Sequence, residues 1–112
     1  MSACLFCKII NKQIPAEIVY EDEDVLAFKD IKPVAPAHIL IVPKNHIPTI
    51  IDVDDNMLIG KIHRIAVEIA EKSNIASSGF RIVCNCNRHG GQEVFHLHFH
   101  LIGGRIMHWP PG

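Results

Sequence analysis

An α+β fold is predicted for this chain of 112 residues, with an antiparallel sheet of about five strands, one long helix and a short N-terminal helix. Three patterns carry that prediction. Short runs rich in Val, Ile, Leu and Phe are bounded by Pro, Gly and Asp, as strands are. Residues 52–74 place apolar side chains at helical spacing behind an acidic opening. Residues 93–104 alternate His with bulky apolar residues, between Gly90-Gly91 and Gly103-Gly104, with the period of a half-buried strand.

Bulk properties bound the answer further. The length suits one domain over residues 1–112 with one modest core. Apolar residues make up 48% and charged residues 21%, as in ordinary soluble proteins. A formal net charge of −1 lacks the basic footprint of a nucleic-acid binder. No apolar run approaches the roughly 18 residues of a membrane span, and the N-terminus has no signal-peptide pattern. A cytoplasmic location without membrane attachment is therefore expected.

Cys4-Leu5-Phe6-Cys7-Lys8-Ile9-Ile10 reads as one or two turns of helix. Its Cys-x-x-Cys is half of a zinc site, and His46 and His96 are available as the other half. The competing readings are packed thiols or a redox pair, and the second lacks the βαβ context it needs. Cys84 and Cys86 stand two apart in a predicted strand, where bridging would require distortion. Reduced thiols or metal ligation are expected of all four cysteines.

Residues 17–21 and 25–28 flank Asp22-Glu23-Asp24 and predict a β-hairpin with a solvated acidic turn. Asp30, ahead of a Pro-rich bend, reads as a turn former. A carboxylate there is also placed to accept hydrogen bonds from ribose hydroxyls. Residues 37–42 are a near-continuous apolar run and predict a central strand, with His38 at its start. Taken alone, His38 reads as structural.

Asp52-Val53-Asp54-Asp55 opens the long helix, its acidic turn suiting the positive end of the dipole. Leu58, Ile62, Ile65, Ala66 and Ile69 form the core stripe, and His63 lies off it facing solvent. Lys72 to Gly79 ends the helix. Residues 80–87 are the next strand, paired with the histidine strand so that Asn85 reaches the histidine face. Gly90-Gly91 reads as a turn, or as a nest of backbone N–H groups for an anion. It leads into a strand, so it is neither a Walker loop nor a dinucleotide fingerprint. The tail Met107-His108-Trp109-Pro110-Pro111-Gly112 cannot continue a strand, and its Pro-Pro stiffens it.

In a strand over 93–104, His96, His98 and His100 share one face, and Phe95, Leu97, Phe99 and Leu101 the other. The outer histidines would then lie roughly 13 Å apart. Three imidazoles so spaced cannot converge on one metal. They suit an extended anionic substrate such as a phosphate ester, whereas the plain alternative is a solvated sheet face.

His96-Leu97-His98-Phe99-His100-Leu101-Ile102 resembles the His-x-His-x-His-x-x signature of the histidine triad (HIT) superfamily of nucleotide-binding proteins and hydrolases. The resemblance extends through Phe6-Cys7-Lys8-Ile9, Asp30-Ile31-Lys32-Pro33, Pro36-Ala37-His38 and Gly90-Gly91-Gln92 to the Trp109 tail. It covers nearly the whole chain and is strongest to the small Hint-like branch. It implies a homodimer with a continuous sheet across both subunits, and a purine nucleotide substrate.

The implied activity is cleavage of purine nucleoside 5′-phosphoramidates at the α-phosphorus through a nucleotidyl-histidine. By resemblance, His98 is the nucleophile, His100 and His38 support it and the phosphate, and His96 sets its tautomer. Asp30 contacts the ribose, Ile31 the base, and Asn85, Gly91 and Gln92 the phosphate. Trp109 reaches the partner's site. Glu93 departs from the serine of animal Hint proteins; an ionised carboxylate would repel phosphate. Either it points away or it serves a cationic leaving group such as a lysine side chain. No metal is required for this chemistry, and a structural zinc on Cys4, Cys7, His46 and His96 is implied by bacterial members. The third histidine, His100, speaks against the uridylyltransferase relatives, which carry Gln there. The alternatives are a nucleotide-binding scaffold with incidental hydrolysis, and a dinucleoside polyphosphate hydrolase; the Trp109 tail favours the Hint-like branch over the second.

Overall fold

Val25–Lys29 (β2) and Ala37–Pro43 (β3) are apolar on both faces, so both faces of the sheet they build must be covered. The computed structural model, which describes residues 3–112, shows how. Ile18–Glu21 (β1) and Phe80–Val83 (β4) form the edges, and Phe99–Gly103 (β5) lies between β3 and β4. The order is β1-β2-β3-β5-β4, with every pair antiparallel.

Helix α2, Asn56–Lys72, covers one face. Its Ile62, Ile65, Ala66 and Ile69 pack on Val25, Ala27, Ile39, Ile41, Leu97, Phe99 and Leu101 in one core. The predicted stripe holds, with Ala70 added and Leu58 only partly buried. Helix α1, Leu5–Ile10, covers part of the other face. Phe6 and Ile9 meet Leu26, Phe28, Leu40 and Val42 there. The alternation along β2 and β3 sends neighbouring side chains to these two cores in turn.

Three boundaries differ from the sequence expectation. Helix α2 opens at Asn56 because Asp55 is its N-cap, accepting from the backbone N–H of Met57 at 3.0 Å. Asp52 instead closes a capping box with Thr49 around a short 3₁₀ turn, Ile50–Asp52. The strand predicted over 80–87 ends at Val83, and that predicted over 93–104 begins only at Phe99. Residues 93–98 run outside the ladder, held by the Leu97 N–H donating to the Ile47 carbonyl at 2.6 Å. Phe95 is correspondingly exposed rather than aligned with Leu97 in the core.

The acidic turn of the hairpin is more than solvated. Asp22 accepts from the N–H groups of Asp24 and Val25, and from the Tyr20 hydroxyl at 2.6 Å. Lys61 of α2 pairs with both Asp22 and Asp24 at 3.0 Å. Burial opposes ionisation of Asp22, but these donors outweigh it and hold its carboxyl below the ordinary range.

Candidate active site and cysteine–histidine cluster

His100 projects from β5 on the face carrying α1, opposite Leu40 of β3. His38 starts the buried part of β3 on the same face. Antiparallel pairing brings the two rings together although 62 residues separate them, with His38 Nε2 at 2.8 Å from His100 Nδ1. The backbone N–H of Val34 donates to His38 Nδ1 at 3.1 Å. That nitrogen must therefore be an acceptor, so neutral His38 carries its proton on Nε2 and donates it to His100 Nδ1. His100 in turn carries its own proton on Nε2. Asp30 Oδ2 lies 3.5 Å from His38 Nε2, while Oδ1 accepts from the Lys32 N–H at 2.8 Å. Both readings of Asp30, turn former and site carboxylate, thus have a geometric counterpart.

Burial, then the neighbouring rings of His98 and His38, push the His100 pKa down to about 4. Burial also lowers that of His38 against the pull of Asp30. Both imidazoles are neutral near pH 7, as the chain of donors requires.

His98 is buried, its ring centroid 5.1 Å from that of His100. Its Nδ1 lies 2.7 Å from the backbone carbonyl of His96. A carbonyl only accepts, so Nδ1 holds the proton and Nε2 presents a lone pair. His96 thus fixes the tautomer of His98 through its main chain. Its side chain goes elsewhere: fully buried, it donates from Nε2 to the Pro43 carbonyl at 2.8 Å and turns Nδ1 toward the cysteines. The expected row of three imidazoles is a pair plus one.

Four donor atoms from Cys4, Cys7, His46 and His96 lie within 4.8 Å of one another. The sulfurs of Cys4 and Cys7 are 3.4 and 3.6 Å from His96 Nδ1, and Cys7 Sγ is 3.4 Å from His46 Nδ1. In a tetrahedral centre with ordinary Zn–S and Zn–N bond lengths, a sulfur–nitrogen edge is roughly 3.6 Å. The donor set and its spacing therefore fit a metal. The Pro43 carbonyl supplies the outer contact that orients a ligating histidine. Burial lowers the His96 pKa, which keeps its imidazole in the neutral, ligating form.

Other expected site residues are placed as follows. Ile31 is 89% exposed beside Asp30. Asn85 is half-buried just beyond β4, continuing the parity of Arg81 and Val83, and Val83 pairs with His100. Gly91 adopts a φ of +79°, which a side chain would strain. Its N–H donates to the Arg88 carbonyl and that of Gln92 to the Asn87 carbonyl, so both amides are engaged inside the turn. The Gln92 side chain is buried, accepting from the Asn87 N–H and donating to the carbonyls of Pro48 and Val94. Glu93 is exposed. Trp109 is 81% exposed and lies under the Arg81 guanidinium, 5.9 Å from the ring centroid, while Arg81 also donates to the His108 carbonyl. His63 is exposed as expected, its Nδ1 at 2.8 Å from the Ile59 carbonyl. Sequence reasoning missed Phe6 as a neighbour of the site: its ring meets His98 near the perpendicular, with centroids 5.0 Å apart. An apolar residue inside a Cys-x-x-Cys helix signals only core.

A split sheet-face site of paired histidines, closed by β3 and β5, defines a histidine triad protein. The family model described as "HIT domain" matches residues 11–107, and the chain belongs to that family. It is 52% identical over 105 residues to the "Purine nucleoside phosphoramidase" of Escherichia coli K12, covering 92% of this chain and 88% of the relative. Among solved structures, a HIT family hydrolase from Legionella pneumophila matches with a TM-score of 0.95 and 52% identity, over 97% of this chain and 99% of that one. A histidine triad protein from Clostridium difficile gives a TM-score of 0.91 and 47% identity, over 96% and 95%.

Proposed function

We propose that this chain hydrolyses purine nucleoside 5′-phosphoramidates, releasing an amine and a nucleoside 5′-monophosphate. One observation carries the reading: His98 is held in the tautomer that leaves Nε2 unprotonated, beside a neutral His100, in a chain half identical to a named purine nucleoside phosphoramidase.

His98 Nε2 attacks the α-phosphorus, and the P–N bond breaks. The leaving nitrogen takes a proton from solvent. The Nδ1–H of the nucleotidyl-imidazolium stays hydrogen-bonded to the His96 carbonyl, which spreads its charge. Water then adds to phosphorus, the P–Nε2 bond breaks, and a proton is released. His100 donates from Nε2 to a phosphate oxygen, and His38 enforces that polarity from behind. Asp30 accepts from ribose hydroxyls, Ile31 packs on the base, and Asn85 donates toward the phosphate. Gly91 and Gln92 shape the loop that passes the phosphate, which their engaged amides and buried side chain support. Exposed Glu93 receives a cationic leaving portion; Glu93→Ser is expected to slow conjugates of lysine more than neutral ones.

The test is turnover of adenosine 5′-phosphoramidate by wild type and His98→Ala, with AMP binding measured for both. The variant is expected to lose activity by about four orders of magnitude or more while still binding AMP. Binding of AMP by both without turnover by either would replace this reading with a nucleotide-binding module. A "histidine triad nucleotide-binding protein" from Candida albicans, 30% identical with a TM-score of 0.83, shares the fold.

A structural zinc ion on Cys4, Cys7, His46 and His96 belongs to the same proposal; bound there, it would tie α1 to the chain around β3 and β5. Metal analysis of protein purified without added zinc is expected to give about one ion per chain. A value near zero would remove it. Such thiols need a reducing compartment, which supports a cytoplasmic location. Among the described residues no helix is long and apolar enough to cross a membrane. The exposed Ile106 and Trp109 of the tail support a homodimer in which each tail packs on its partner.

A further inference from the structure

We propose that helix α1 is a positioning element for the His98 imidazole, with Phe6 as the residue that holds the ring. The proposal rests on the reading of His98 as the nucleophile.

A nucleophilic imidazole needs its attacking lone pair aimed, not merely present. The hydrogen bond from His98 Nδ1 to the His96 carbonyl fixes the tautomer and one point of the ring. It leaves rotation of the ring plane about that bond. Phe6 removes the rotation. Its ring stands at 84° to that of His98 with centroids 5.0 Å apart, the edge-to-face contact aromatic rings prefer. Phe6 is itself buried and braced, at 5.6 Å from Phe28 and 5.9 Å from His96, both near-perpendicular. It therefore cannot yield without moving core.

Six residues are too few for α1 to be stable by itself. The helix is fastened by the residues on either side of Phe6. Cys4 is its N-cap, and Cys4 and Cys7 both rest on the His96 imidazole. His96 thus connects to His98 by two routes. One is its own carbonyl; the other runs through its side chain, the two cysteines and the ring of Phe6 held between them. The cysteine–histidine cluster, with or without its metal, acts on the nucleophile through this brace.

The test combines spectroscopy with kinetics on Phe6→Leu, and on the double variant Cys4→Ser with Cys7→Ser. Long-range proton–nitrogen spectra at pH 8 read the two ring nitrogens of His98 without substrate. Wild type is expected to show one protonated Nδ1 and one unprotonated Nε2. In Phe6→Leu the Nδ1–H tautomer is expected to persist while the His98 ring resonances broaden as the ring loses its single orientation, with kcat on adenosine 5′-phosphoramidate falling about tenfold and KM changing less than about twofold. The double variant keeps Phe6 and loosens its helix, and is expected to broaden the same resonances. It decides the matter if Phe6→Leu does not fold. Unchanged His98 resonances in a folded variant would overturn the proposal. A rise in KM alone would also overturn it, by making Phe6 a contact for substrate. If wild type proves inactive on the phosphoramidate, the functional reading fails while the spectra still decide whether α1 positions the ring.

Discussion

His100 shows how a single side chain links the site to pH. Its pKa of about 4 in the folded chain lies below the ordinary 6.5, so the unfolded chain binds this proton more readily. Its contribution to stability is intact above pH 6.5 and is lost as pH falls from there toward 4. Unfolding temperatures of wild type are expected to drop across that window, and His100→Gln to drop less; parallel curves would refute the assignment. Gln92 makes a different point. Gln92→Ala removes three hydrogen bonds from a buried side chain to the backbone and is expected to destabilise by about 1–3 kcal/mol in denaturant unfolding. The sequence marks His98 and His100 by residue type and spacing and His38 only by resemblance, and the His100 ring meets both of the others. It does not show that His96 divides its labour between a carbonyl for His98 and a ring for the cysteines, because spacing carries no information on rotamers. Nor does it show that the amides of Gly91 and Gln92 are spent within their own turn.

At the scale of elements, caps and glycines set where the site-bearing segments begin. Asp55→Ala is expected to cost about 1 kcal/mol, because two N–H groups of α2 lose their acceptor. A Cβ on Gly90 would stand 2.5 Å from the Cys86 carbonyl oxygen, which cannot move away without disturbing the loop. Gly90→Ala is expected to cost about 1–3 kcal/mol by equilibrium unfolding, more than Gly91→Ala, where only the positive φ resists. The hairpin, β3 and α2 were legible because each couples a burial pattern to matching turn chemistry. The histidine segment misled on length. Leu97 is buried in step with Phe99, but Phe95 is exposed and His96 and His98 are buried, so alternation carried neither the burial of this segment nor its ladder hydrogen bonds. Within residues 93–98, Val94 packs on the α1-side core, His96 meets Phe6 and His46, and Leu97 joins the α2-side core, while Glu93 and Phe95 stay exposed.

For the whole molecule, the sheet divides its labour by face. The α2 face is plain core, and the α1 face carries both the histidine pair and the cysteine cluster. Fold class followed from patterns the whole chain repeats; the role of the tail did not, since exposed Trp109 looks the same in sequence whether it frays or docks. Sedimentation at micromolar concentration is expected to give a dimer. Trp109→Ala is expected to leave its unfolding curve within about 0.5 kcal/mol of wild type while raising KM. A monomeric wild type would sink the docking of the tail.

β5 follows β4 in the chain yet lies between β4 and β3. As the protein emerges from the ribosome, β3 and β4 must wait with unpaired edges until residues 99–103 arrive. The strand that supplies His100 is therefore also the keystone that joins the two parts of the sheet. A chain interrupted before it has neither a reactive histidine pair nor a finished fold, so no prematurely active species forms during synthesis.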